Sequence, residues 1–316
     1  MSRYVSYLID DVRSSTENTD FSDTIGIQDA EFLRFINDAQ YRIQNLITQK
    51  HPSVFLSESV VNIVGNQEVY PLPANAYMGN KVTQVEFNRN TTGTDFYYPL
   101  RPGSLYNRSS GSGGSPVKYI RRAGEILLLP IPQSSSGQLR ITYTHKLPKL
   151  DIRRGSIATV ILDTSALTIT TLTMDVSTDS VDSTELSKFT RLTLCDEEGN
   201  VKMSNVKFTA VNASTGVVTI DPAFVYASGE TIEVGDYVVA GPYSSTHILL
   251  DEMVERYLIA YTTLKILQRD SNITDLQVQQ NILLEMESDI VMAYSEISDD
   301  IMEIPDIISE DDQWGW

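Results

Sequence analysis

Two hydrophobic rhythms divide the chain. Along FLRFINDAQYRIQNLI, Phe32, Ile36, Ala39, Ile43 and Leu46 recur at alternating four- and three-residue steps. That spacing puts them on one face of a 3.6-residue helix, with Arg34, Asn37, Asp38, Gln40, Gln44 and Asn45 elsewhere. The pattern predicts a helix that begins between Gln28 and Ala30 and closes near His51, because Pro52 disfavours helical geometry in the residue before it. At 1.5 Å per residue it is a rod of roughly 33 Å. Upstream, Tyr4, Val5, Leu8 and Val12 predict a short amphipathic helix, and the polar SSTENTDFSDT reads as a loop. Such a stripe needs a partner, and helical period returns only at STHILLDEMVERYLIAYTTLKILQRD. There Leu250, Met253 or Val254, Tyr257, Tyr261 and Leu264 form a stripe, widened by Leu249, Leu258 and Leu267. Past a break at residues 270–273, Thr274 or Asp275 caps a further helix whose Leu276, Leu283, Met286 and Ile290 face inward. The two ends of the chain are therefore expected to pack as one bundle, within a subunit or between subunits.

Between the helices the period is two. SVVNIV, EVYPLP, KVTQVEF, VKYIR, EILLLPIP and LRITYTHKLPKL are strand-like runs. Gly65-Asn66-Gln67 joins the first two as a pair, and Arg122-Ala123-Gly124 joins VKYIR to EILLLPIP. Residues 109–115 contain only Ser and Gly and read as a mobile loop, since they bury nothing to offset their ordering entropy. A small antiparallel sheet or barrel is expected between residues 57 and 147. ATVILD, LTITTLTMD, FTRLTLCD, NVKFTAV, GVVTID and DYVVAG then predict a second compact sandwich or barrel, with no helical period interrupting it. The expected fold class is α+β. Residues 1–56 plus 244–298 form the bundle, 57–154 a β module, 155–242 an inserted β domain and 299–316 an acidic tail.

Composition sharpens this. The 316 residues are 41% hydrophobic, enough for real cores. No apolar run approaches the roughly 20 residues a bilayer crossing needs, and MSRYVSYLIDDVRSS carries charge where a signal peptide is apolar. A protein made in the cytoplasm, away from membranes, is expected. The single cysteine, Cys195, excludes an internal disulfide framework and reads as a packed residue rather than a nucleophile. With 42 acidic against 24 basic residues, the net charge of -18 disfavours a protein that coats nucleic-acid phosphates. The charge is uneven. Residues 81–154 hold 12 Lys and Arg against 4 acids, residues 155–242 hold 12 acids against 4 bases, and residues 299–316 carry 7 acids and no base. Such blocks serve solubility, or they steer copies or partners together through opposite signs.

Signatures of chemistry are sparse. GSGGS lacks the preceding strand, following helix and Gly-Lys-Ser/Thr ending of a phosphate cradle. His51, His145 and His247 form no metal-ligand pair, and DEEG and SEDD match no calcium loop. No catalytic residue, metal or cofactor is expected. A paired-carboxylate glycan hydrolase stays open in principle, because its acids would come from distant strands.

Taken in order, YLIDDVR, FLRFINDAQYRI, VYPLPANAY, ILLLPIP and LRITYTHKLPKL resemble the head-to-tail adaptor (connector) proteins of tailed, particularly short-tailed, bacteriophages. The likeness covers residues 1–154 and 244–298; residues 155–242 are an addition to the minimal adaptor. The resemblance implies a structural homo-oligomeric ring, commonly a dodecamer, at the head-tail interface of the virion. It would sit below the portal protein, carry a tail tube, nozzle or other tail protein, and let genomic DNA pass without sequence-specific binding. An acidic wall suits such a conduit because it repels phosphates. Ile301, Ile304, Ile307, Ile308, Trp314 and Trp316 are the residues expected to dock on the portal, since aromatic anchors commonly supply interface hot spots. Packing of this tail on its own subunit is the alternative. A tail or fibre protein whose inserted β domain recognises carbohydrate is the competing function.

Overall fold

The computed structural model describes residues 3–16, 28–73, 75–77, 82–89, 96–104, 113–122, 124–177, 181–226, 231–269 and 273–299. Among them are five helices, α1 (Val5–Ser15), α2 (Asp29–Lys50), α3 (Ser183–Leu186), α4 (Glu252–Arg269) and α5 (Ile273–Asp299). The fold is α+β, organised around three hydrophobic cores.

The first core is helical and draws on both ends of the chain. Phe32, Ile36, Ala39 and Ile43 of α2 are fully buried, and Leu46 lies half-buried at the rim. They meet Val5, Leu8, Ile9 and Val12 of α1 and Val254, Tyr257, Leu258, Tyr261, Leu264 and Ile266 of α4, while Leu283 and Ile290 of α5 close the cluster. Arg269 pairs with Glu31 at 2.9 Å and Arg42 with Glu287 at 2.8 Å. α5 therefore runs alongside α2 in the same direction, and α4 runs opposite to both.

Three expectations at the C-terminal helices need correction. Leu250 precedes α4 yet packs half-buried against the bundle core, Leu249 is exposed, and of Met253 and Val254 it is Val254 that is buried. Asp251 stands just before the helix, and its carboxylate and carbonyl accept from the amides of Glu252 and Val254. α5 begins at Ile273, which places Thr274 and Asp275 inside its first turn rather than at its cap.

The second core lies between two four-stranded sheets. In chain order the strands are β1 (Leu56–Asn62), β2 (Val69–Pro71), β3 (Val82–Asn88), β4 (Tyr98–Pro99), β5 (Arg101–Pro102), β6 (Lys118–Arg122), β7 (Glu125–Leu129) and β8 (Gln138–Thr144). One sheet has the order β1-β8-β3-β4 and the other β2-β7-β6-β5. The expected β1–β2 pair does not form. β1 pairs with β8, β2 pairs with β7, and the Gly65-Asn66-Gln67 link crosses between sheets, with the Asn66 amide bonded to the Pro132 carbonyl. Adjacent runs bounded by a turn look alike whether they pair or change sheets. β5 and β6 are parallel, so the module is not wholly antiparallel. Of the expected Ser/Gly loop, only residues 113–115 are among those described.

Two short strands form the neck of the third unit. β9 (Lys149–Leu150) lies parallel to β16 (Ser244–Ser245), and between them sit β10 (Gly155–Asp163), β11 (Thr168–Met174), β12 (Arg191–Cys195), β13 (Val201–Val211), β14 (Val217–Ile220) and β15 (Tyr237–Ala240). These six close into a barrel of order β10-β11-β14-β13-β12-β15, which leaves no unpaired edge. Its interior holds Ile157, Leu172, Met174, Leu192, Leu194, Met203, Val206, Phe208, Val218 and Val238. Contrary to the expectation of an unbroken β series, α3 intervenes. Asp182 caps this single turn by accepting from the Glu185 amide at 3.0 Å, and Leu186 is fully buried.

Candidate functional site

The three units meet at the neck, and polar side chains hold it. Asn37, Gln40 and Gln44 of α2, three and four residues apart, form a second stripe beside the apolar one. Asn37 accepts from the Leu150 amide and donates to the Leu150 carbonyl, both at 2.8 Å. Gln40 donates to the Pro148 carbonyl at 2.8 Å, and Gln44 donates to the His145 carbonyl at 2.9 Å. The ladder fixes the strand leaving the sandwich to the bundle. The sequence pattern set these three residues apart from the packed face; Gln40 and Gln44 are in fact buried, and their carboxamides satisfy backbone groups that have no strand partner there.

Beyond the ladder stands Arg154, 7% exposed. Its guanidinium donates to both carboxylate oxygens of Asp151, at 2.6 and 3.3 Å, and to Asp182 at 2.7 Å. Asp151 also accepts from the Ala240 amide at 3.1 Å. One fork thus ties the neck to α3 and to β15. On the other side, the Tyr4 and His247 rings meet at a tilt of 54° with centroids 4.0 Å apart, and the Val5 amide donates to the Thr246 carbonyl at 2.9 Å. Gly199, at φ +83°, lies so close to His247 that an added Cβ would stand 2.5 Å from the histidine's own. A left-handed glycine is what allows this barrel turn to seat on the neck.

Among the described residues no group of His, Cys, Asp and Glu could hold a metal ion. His145 and His247 are kept below the usual histidine range by burial. The Cys195 thiol is buried and pushed up to about 12, by desolvation first and then by Asp196, which disfavours the thiolate. Tyr257 donates to Glu287 at 2.9 Å and is raised by burial, a bond that braces α4 on α5. Among the described residues no helix is long and apolar enough to cross a membrane.

Two surfaces are left apolar. On α5, Val278, Ile282 and Met292 share a face turned away from Leu283 and Ile290, and they are 58%, 36% and 65% exposed. β1 is an edge strand of its sheet, with Leu56 and Val60 exposed. A helix with apolar residues on two faces, and a strand edge left unpaired among the described residues, are features of interfaces. The six residues expected to dock, Ile301, Ile304, Ile307, Ile308, Trp314 and Trp316, lie outside the described residues. Of the bundle stripe, Phe32, Ile36, Ala39, Ile43, Tyr257, Tyr261 and Leu264 are buried in the helical core, and Leu46 and Leu250 pack half-buried against it.

A search of curated proteins finds no match. Residues 5–159 are similar to the model of the SU10 adaptor protein family, a stretch of just under half the chain that takes in α1, α2, the whole sandwich and the entry to the barrel.

Proposed function

We propose that the chain is a head-to-tail adaptor: copies form a ring, commonly of twelve, under the portal, which lengthens the DNA channel and presents a surface to a tail tube, nozzle or other tail protein. The observation that carries this reading is the twice-apolar α5. A helix that already fills a core and still exposes Val278, Ile282 and Met292 needs a second partner, and in a homo-oligomer that partner is the next copy. The open β1 edge offers a second lateral contact, and the basic block at residues 81–154 faces copies whose barrel block is acidic. The domain division is part of the proposal: residues 1–56 with 244–298 as stalk, 57–154 as β module, 155–242 as an inserted unit and 299–316 as the docking tail. An acidic chain repels DNA phosphates, so the genome slides without being read. Assembly takes place in the host cytoplasm and needs no cofactor.

The test is to mix purified chain with portal particles and image the product. Rings on the portal are expected from the full chain, and none from a chain lacking residues 300–316 whose circular dichroism is otherwise unchanged. Ring formation by the shortened chain would overturn the tail's role. Failure of the full chain to bind would overturn the adaptor reading.

A further inference from the structure

At the far end of the sandwich from the bundle is a cleft of about 760 Å³. It opens where the chain passes from β4 in one sheet to β5 in the other, and Phe87, Leu100 and Pro116 lie among its lining. Phe96 and Tyr98 stand over it 63% and 55% exposed, with rings 5.0 Å apart in an edge-to-face arrangement. Arg89, Arg101 and Lys118 also line it, and no acidic residue does among the described residues. Arg89 donates to Ser115 at 2.6 Å. A cleft with exposed aromatics and three cations among its described residues suits an acidic segment that carries aromatic side chains. Arg clusters recognise acidic peptides, and indole rings stack well on aromatics and cations.

The chain contains one such segment. Residues 299–316 hold 7 acids and no base, and both of the protein's tryptophans are there, at 314 and 316. Geometry favours the chain's own copy. α5 runs in the direction of α2, so it ends at the end of the bundle where α2 passes into β1. From Asp299, residues 300–316 reach on the order of 55 Å when extended at ~3.3–3.6 Å each. The 7 residues of β8 separate the bundle junction at His145 from the cleft end of the sheet, a span of roughly 24 Å at about 3.4 Å per residue.

We infer that residues 300–316 dock into the Phe96–Tyr98–Arg101–Lys118 cleft of their own subunit. Held there, Trp314 and Trp316 are shielded before assembly, and a portal must compete for the tail. That regulatory sense rests on the portal-docking reading above; the contact itself does not.

Because Trp314 and Trp316 are the chain's two tryptophans, tryptophan fluorescence of the full-length protein reads the tail and nothing else. In dilute, low-salt solution without portal, the emission should be blue-shifted and protected from acrylamide. R101E/K118E should move it to the solvent-exposed position with full quenching, as should 1 M salt, where the Debye length is about 3 Å. The tail reversal E310K/D311K/D312K should do the same, and combining both sets of reversals should restore protection. All the substituted side chains in the cleft are exposed, and circular dichroism verifies the fold of each variant. A solvent-exposed emission in the native protein overturns the inference, as does a protected one indifferent to R101E/K118E or a loss that the combined variant does not rescue. Protection that rises with protein concentration overturns it as well, since that places the tail on a second copy. Portal is absent throughout, so failure here and failure of portal docking are read separately.

Discussion

Arg154 bears the largest electrostatic demand of any single residue at the neck. Its side chain is 8% exposed, and it serves two carboxylates, one of which, on Asp151, is 9% exposed. Arg154→Ala would leave Asp151 buried with the Ala240 amide as its remaining partner among the described residues, and removing one partner of a buried pair costs about 3–5 kcal/mol. A large fall in the urea midpoint is therefore expected. Arg154→Lys should recover little of it, because an ammonium cannot donate to both carboxylates with the fork's geometry. Recovery by lysine would show that charge alone matters there. Nothing in the local sequence LPKLDIRRG marks Arg154 rather than Arg153 for this role. Arg153 instead lies over the Tyr237 ring, 4.9 Å from its centroid. The distinction is made by Asp182, 28 residues further on.

At the scale of elements, α2 is the informative case. Its bounds and apolar stripe follow from period and proline placement, since both are local properties of the chain. Its amide stripe was not legible, because a polar residue bonded to buried backbone has the same place in the pattern as one in water. Gln44→Ala would strand the His145 carbonyl and the Leu147 amide in a dry contact, at about 1–3 kcal/mol. Asp38→Ala, on the exposed side of the same helix, should change stability by no more than about 0.5 kcal/mol. Equal effects in thermal unfolding would show that the ladder holds nothing. The β elements teach the complementary lesson. The six barrel strands were legible from alternation and turn residues, whereas the two runs joined at Gly65-Asn66-Gln67 do not pair with each other, since pairing is decided by partners distant in the chain, Leu127 for Val69 and Thr144 for Leu56 among them.

For the molecule as a whole, the neck decides how separable the units are. The Asp151 amide donates to the Ser245 carbonyl at 3.0 Å, so the chain enters and leaves the barrel side by side. The bundle and sandwich cores contain no residue of 155–242. Replacing residues 155–242 with a short Gly/Ser linker should therefore leave a folded protein of higher helical content by circular dichroism. An aggregated or unfolded product would mean that the barrel is part of the foundation and not an addition.

The sequence by itself determined where the long helices and most of the strands lie, that the helical ends carry apolar stripes that need partners, and that its acids and bases fall in blocks. Each of these is a statement about neighbours in the chain. Only the tertiary structure decided which strands share a sheet, that Gln40 and Gln44 face backbone instead of water, that Arg154 meets Asp182, and that Arg89, Arg101 and Lys118 stand around two exposed aromatics. Those facts depend on residues distant in sequence arriving within a few ångströms, and hydrogen bonds and close charge contacts act only over such distances.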